Sequence, residues 1–158
     1  MSKPAEAIAA VTQPDVKAAL KSSWGLLAPN KKKYGVELMC KLFSLHKDTA
    51  RYFERMGKLD ANNAGSNREL IGHAIYLMYA IESFVDQLDD PSIVEDIGRN
   101  FAYRHLKRGI GSKSFSVILD TLDQFLGDSL GVNYTAEVKD AWEKLVKVIL
   151  ALLDDEKK

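Results

Sequence analysis

One long apolar run carries a histidine near its start: Leu70-Ile71-Gly72-His73-Ala74-Ile75-Tyr76-Leu77-Met78-Tyr79-Ala80-Ile81. Steps of three and four residues line up Leu70, His73, Leu77, Ile81, Phe84 and Leu88, so the run reads as an amphipathic helix with an imidazole on its inward face. A helix with so wide an apolar stripe is stable only when packed against other helices. A second histidine, His105, follows Val94, Ile97 and Phe101 on the same kind of stripe. The chemical question is whether the two imidazoles face one apolar space.

The rest of the chain supplies helical partners. Residues 1–11 form an Ala-rich extension with room for one short helix. Thr12-Gln13-Pro14-Asp15 reads as a helix start, with the Thr12 hydroxyl as cap, Pro14 in the first turn and Asp15 against the dipole. Val16, Leu20, Trp24 and Leu27 form its stripe, and Pro29-Asn30 breaks it. A second helix over about 31–45 has Val36, Met39, Cys40 and Phe43 on its apolar face. In the polar connection 46–65, punctuated by Gly57 and Asn62-Asn63-Ala64-Gly65, stands Tyr52-Phe53, an aromatic pair expected to plug downward. Ser66-Asn67-Arg68-Glu69 has capping-box spacing ahead of the central helix, which runs to about Leu88.

Asp89-Asp90-Pro91 opens the helix of His105, and Gly109 and Gly111 end it. A helix over about 113–129 carries Phe115, Ile118, Leu119, Leu122 and Leu126 and closes at Gly131. Thr135 caps the last helix, whose stripe is Val138, Trp142, Leu145, Ile149 and Leu152. Period-2 alternation and internal repeats are missing, so the expected class is all-α, with six or seven helices joined by short links. The expected division is an extension at 1–11, one domain at 12–153 and a charged, frayed tail at 154–158.

Charge and cysteine content narrow the function. Lys+Arg and Asp+Glu are both 22, which gives no excess to draw nucleic acid or an anionic membrane. No uncharged apolar run reaches the roughly 18 residues of a membrane span. The first residues carry Glu6 where a secretory leader needs apolar ones, and Cys40 stands alone. The expectation is a cytoplasmic protein that binds neither nucleic acid nor membrane. Taken singly, a histidine on an apolar stripe is commonly a core residue whose nitrogens find a carbonyl or water. On periodicity alone, two core histidines and a ligand pair stand about equal.

Longer matches tilt that balance. Asp15-Val16-Lys17 with Ser23-Trp24, Tyr52-Phe53, Gly72-His73 with Leu77-Met78-Tyr79-Ala80, Phe84-Val85-Asp86-Gln87-Leu88-Asp89, Phe101-Ala102 ahead of His105, and Ala141-Trp142 with Lys144-Leu145-Val146 occur in order across nearly the whole chain. In this the chain resembles the globins, most of all the intracellular globins of bivalve molluscs. The resemblance implies a globin fold of six to eight helices around a haem pocket, with a short extension before the first helix. It implies haem b (iron protoporphyrin IX) as cofactor, with His105 as proximal iron ligand and His73 as the distal residue. Phe53 would pack flat on the porphyrin, and Met39, Phe43, Leu77, Phe101, Ile110, Phe115 and Ile118 would line the pocket. Lys107, Arg108 and Tyr76 are candidates to hold the propionates.

The implied function is reversible oxygen binding, for storage, facilitated diffusion or transport, and the protein is not expected to be an enzyme. Dioxygen, carbon monoxide and nitric oxide are the implied ligands. The proximal imidazole should donate its second N–H to a carbonyl near Phe101, which fixes its tautomer. A neutral His73 would donate a hydrogen bond to the partly negative ligand. Competing readings are haem redox or nitric oxide chemistry fed by an external electron donor, a six-coordinate, sensor-like globin with His73 on the iron, and a haem-free helical interaction module. The chain departs from clam haemoglobins that pair through their haem-bearing helices. Asn100 stands where those carry lysine, Arg104 where they carry asparagine, and Tyr76 where they carry a small hydroxyl residue. The expected assembly is therefore a monomer or a homodimer.

Overall fold

The computed structural model describes residues 1–156. Eight α-helices and several short 3-10 turns make up the described residues, with no strand among them. They are α1 (Lys3–Val11), α2 (Pro14–Leu27), α3 (Lys31–Leu45), α4 (Arg68–Asp86), α5 (Pro91–Lys107), the single turn α6 (Ser112–Phe115), α7 (Ile118–Leu130) and α8 (Ala136–Glu156). The all-α class expected from the sequence is what the described residues adopt. The main core joins α2, α4, α5, α7 and α8, with Leu20, Met78, Leu88, Val94, Leu126 and Leu152 fully enclosed. Trp24 and Trp142 meet inside it with centroids 6.3 Å apart, and the Trp142 indole N–H donates to Ser23 Oγ at 2.9 Å.

Local chemistry sets the helix ends, and in three places differently from the expectation. Thr12 does not cap α2. Because α1 runs regularly to Val11, the Thr12 hydroxyl lies beside that helix's last turn and donates to the Ile8 carbonyl at 2.8 Å. Gln13 takes the capping position of α2 with no side-chain bond. At α4 the cap is Asn67, not Ser66. Ser66 is consumed in a 3-10 turn, its hydroxyl donating to Asn63 O at 3.0 Å. Asn67 Oδ1 accepts the Leu70 N–H at 3.0 Å, and its amide donates to Met56 O at 2.8 Å, which ties the connector to the helix start. The helix expected over 113–129 is split at Ser116-Val117, where the Ser116 hydroxyl donates to Lys113 O at 2.6 Å and competes with helix continuation. Asp90, Thr135 and Gly131 act as expected: Asp90 accepts from Ile93 N–H at 3.3 Å, Thr135 from Val138 N–H at 3.2 Å, and Gly131 closes α7 at φ 55°.

The ends of the chain are more integrated than the sequence implied. Helix α1 packs on α8 and α5, burying Ile8 and Val11 in the main core. Asp154, Asp155 and Glu156 do not fray; they continue α8 and make side-chain bonds to Ser112 and Arg99. Lys157 and Lys158, the rest of the expected tail, lie outside the described residues.

One crossing positions the site. Where α3 passes α4, a Cβ on Gly35 would stand 2.6 Å from the Ala74 carbonyl oxygen and 2.9 Å from Met78 Cγ. Only glycine allows that approach, and Ala74 directly follows His73. A second, smaller core fills the space between this crossing and the connector, with Met39, Phe43, Phe53, Leu59, Ala64, Leu70 and Ala74.

Candidate functional site

The two cores leave an apolar cleft between α4 on one side and α5–α6 on the other, roofed by α3 and the connector. Its walls enclose about 650 Å³ of space, mouth included, and are Met39, Leu42, Thr49, Tyr52, Phe53, His73, Leu77, Phe101, His105, Ile110, Ser114, Phe115, Val117 and Ile118. That apolar lining suits an organic cofactor.

Both histidines line this cleft. His105 is held on three sides. Its Nδ1 lies 2.9 Å from the Phe101 carbonyl, one turn back, so Nδ1–H donates there and Nε2 is the nitrogen left for a ligand. Its ring stacks on Phe101 at 4.2 Å and meets the edge of Phe115 at 5.2 Å. His73 packs edge-on against Phe53 at 5.0 Å, and Phe53 in turn meets Phe43 at 5.6 Å. Phe53 reaches inward because its own backbone (φ −120°, ψ 18°) interrupts the turn Lys47–Met56.

Burial disfavours the charged form of both imidazoles. Burial pushes the pKa of His73 below its ordinary value, and the nearby charges of Arg108, His105 and Arg55 add to that. Burial also lowers His105, against the opposing effect of its bond to Phe101 O, with Arg108 a smaller contribution. Neutral imidazole is the form that ligates metal. Among the described residues no three His, Cys, Asp or Glu side chains converge as a metal cage. A metal held by His105 would therefore need its other donors from a bound frame, which a flat macrocycle supplies.

Of the residues expected at the site, Met39, Phe53, His73, Leu77, Phe101, His105, Ile110, Phe115 and Ile118 line the cleft. Phe43 stands behind the wall, 1% exposed, and braces Phe53. Tyr76 is off the wall and 78% exposed. Three positions past His73 is about 60° back around the helix, which turns Tyr76 to solvent, whereas Leu77 stays in line. Arg108 is exposed, yet its charge reaches both imidazoles, which puts it at the rim. Lys107 is exposed and sits over the Tyr103 ring at 5.9 Å.

Leu42, Thr49, Ser114 and Val117 were not foreseen as wall residues, nor Arg55 as a cation whose charge acts on His73, whereas Tyr52 plugs inward beside Phe53 as expected. Leu42 was findable, three residues after Met39 on the same face. Ser114 and Val117 depend on the unexpected break after α6. His46 is half-buried outside the cleft and pairs with Asp120 at 2.8 Å, joining the end of α3 to the start of α7.

Comparison with known proteins agrees with this geometry. The profile described as Globin matches residues 36–153. Globin-2 A chain of Anadara inaequivalvis is 39% identical over 150 residues, covering 94% of this chain and 99% of that one. Globin-2 B chain of the same animal is 37% identical over 153 residues, covering 96% and 100%. Neuroglobin of Danio rerio is 28% identical over 138 residues, covering 87% of each chain.

Proposed function

The chain belongs to the globin family, and from that premise we propose that its cleft holds haem b and that the protein binds dioxygen reversibly in the cytoplasm, for storage, facilitated diffusion or transport. The observation that carries this reading is that both imidazoles line one apolar cleft, with His105 Nδ1 tied to Phe101 O at 2.9 Å. The residues present fit the cofactor: a single oriented imidazole on α5, aromatic walls for the ring, and Arg55 and Arg108 close enough to His73 for carboxylates at the mouth. When bound, haem supplies a ferrous iron that takes up and releases a diatomic ligand without net chemistry.

The side chains do the rest. The Nδ1 bond holds His105 in one tautomer and one plane, so that Nε2 stays available as donor. His73, whose charged form burial disfavours, would donate an N–H to a bound ligand as that ligand acquires negative charge. Met39, Phe53 and Leu77 exclude water and anions, which disfavours oxidation of the iron. No catalytic base, nucleophile or second cofactor is needed, and the ligands are dioxygen, carbon monoxide and nitric oxide. A His105→Gly variant tests the assignment. It is expected to lose haem and to regain it with free imidazole; haem retention by the unassisted variant would overturn it.

A second reading has one observation in its favour. His73 and His105 line the same cleft, and on this reading His73 would serve as a sixth ligand at rest. Diatomic ligands would then compete with it, and affinity would fall with the fraction of open sites.

A further inference from the structure

The acidic run at the end of α8 reaches both ends of the segment that carries His105. Before the histidine, Arg99 Nη1 donates to Asp155 Oδ2 at 3.0 Å and to Glu156 Oε1 at 2.8 Å, with Glu95 Oε2 3.5 Å from Arg99 Nε. After it, Ser112 Oγ donates to Asp154 Oδ1 at 2.5 Å. Three consecutive residues thus grip Arg99 in α5 and Ser112 in α6. Between these grips lie Phe101, His105 and Ile110, all wall residues of the cleft. Gly98 lies against Leu152, so the two helix axes are already close where the grip forms. The carboxylates hold the Arg99 guanidinium well above its ordinary pKa, its hydrogen bond to Glu156 contributing most and that to Asp155 next. A shared guanidinium is a network rather than an isolated surface pair, and networks outperform single exposed pairs.

We propose that the Asp154-Asp155-Glu156 end of α8, with Arg99 and Ser112, is a clasp that positions the iron-ligating imidazole of His105. It rests on the reading that His105 ligates haem iron. The clasp touches neither cofactor nor ligand; it fixes where α5 ends and so the height and tilt of the ring. Loosening it lets α5 drift along α8 and spreads the His105 geometries.

The test uses the haem-loaded full chain in three forms beside the parent. One is Arg99→Gln. A second is Asp154→Asn with Asp155→Asn and Glu156→Gln. The third exchanges the charges, Arg99→Glu with Asp155→Lys and Glu156→Lys. The readouts are the iron–imidazole stretching band in the resonance Raman spectrum of the ferrous, ligand-free protein, and hydrogen exchange of the Phe101–His105 amides. Both neutral variants are expected to broaden and shift the band and to speed exchange by about threefold or more, and the charge exchange is expected to restore both. Unchanged band and exchange in the neutral variants would overturn the clasp. Faster exchange with an unchanged band would reduce it to a purely structural tie and overturn the positioning role. A parent protein without any iron–imidazole band would instead overturn the ligand assignment beneath it.

Discussion

At the scale of single residues, His73 and His105 share an apolar surrounding but not a role. His105 is anchored by a hydrogen bond and two aromatic rings, whereas His73 rests against Phe53 and faces the cleft. On the proposed reading, His73→Leu removes the N–H that would meet a bound ligand and leaves the packing volume similar. The variant is expected to release dioxygen about tenfold faster, the worth of one hydrogen bond to a charged acceptor; stopped-flow displacement by carbon monoxide measures it. Periodicity made both imidazoles legible as inward-facing, and the Phe101 bond followed from one helical turn of spacing. Tyr76 was misassigned because its position three after His73 was weighed for reach without its rotation about α4. Arg55 was illegible, since a connector with no regular period gives no direction for its side chains.

At the scale of elements, close crossings and caps decide where the imidazoles end up. Gly35→Ala drives a methyl against the Ala74 carbonyl, which is backbone and cannot turn aside. The expected cost is about 1–3 kcal/mol, read as a lower denaturation midpoint at unchanged slope. A different tie joins α2, α3 and α4. Glu82 accepts from Lys31 at 2.9 Å and from the Trp24 indole at 3.1 Å, and the Lys31 bond holds its carboxyl below the ordinary value near 4.5. The lowered pKa adds stability that is complete above that value and is lost as pH falls through the depressed one. Glu82→Gln is therefore expected to lower the melting temperature at neutral pH and to converge with the parent as pH falls below about 4.5, which flattens the acid limb; an unaltered acid limb would contradict the assignment. Helix identities were readable because each stripe repeats over several turns. The breaks at Ser66 and Ser116 were not, because a serine hydroxyl bonds local backbone as readily as it caps.

At the scale of the molecule, helices distant in sequence hold the cleft in shape. Helix α1 reads as a loose extension in sequence, yet Ile8 and Val11 enter the main core against α8 and α5. Ile8→Ala is expected to cost about 2 kcal/mol or more in a denaturant titration, and a change within a few tenths would show that α1 is dispensable. Tertiary burial of this kind has no local signature: the stripe of α1 is only two residues wide, and the surface it covers is assembled from the other end of the chain. The same holds for the acids of α8, whose partners are known only once α5 lies beside them.

The central claim is that the cleft presents His105 to a haem iron and leaves the opposite side open to a ligand. The visible absorption spectrum of the purified protein tests it most directly, taken ferric, then reduced with dithionite without oxygen, then under carbon monoxide. The account predicts haem bands throughout, a single broad visible band in the reduced form, and its replacement by a split pair under carbon monoxide. A split pair already in the reduced form would place His73 on the iron and favour the six-coordinate reading. A protein that takes up no haem and shows none of these bands would contradict the account and return both histidines to the core.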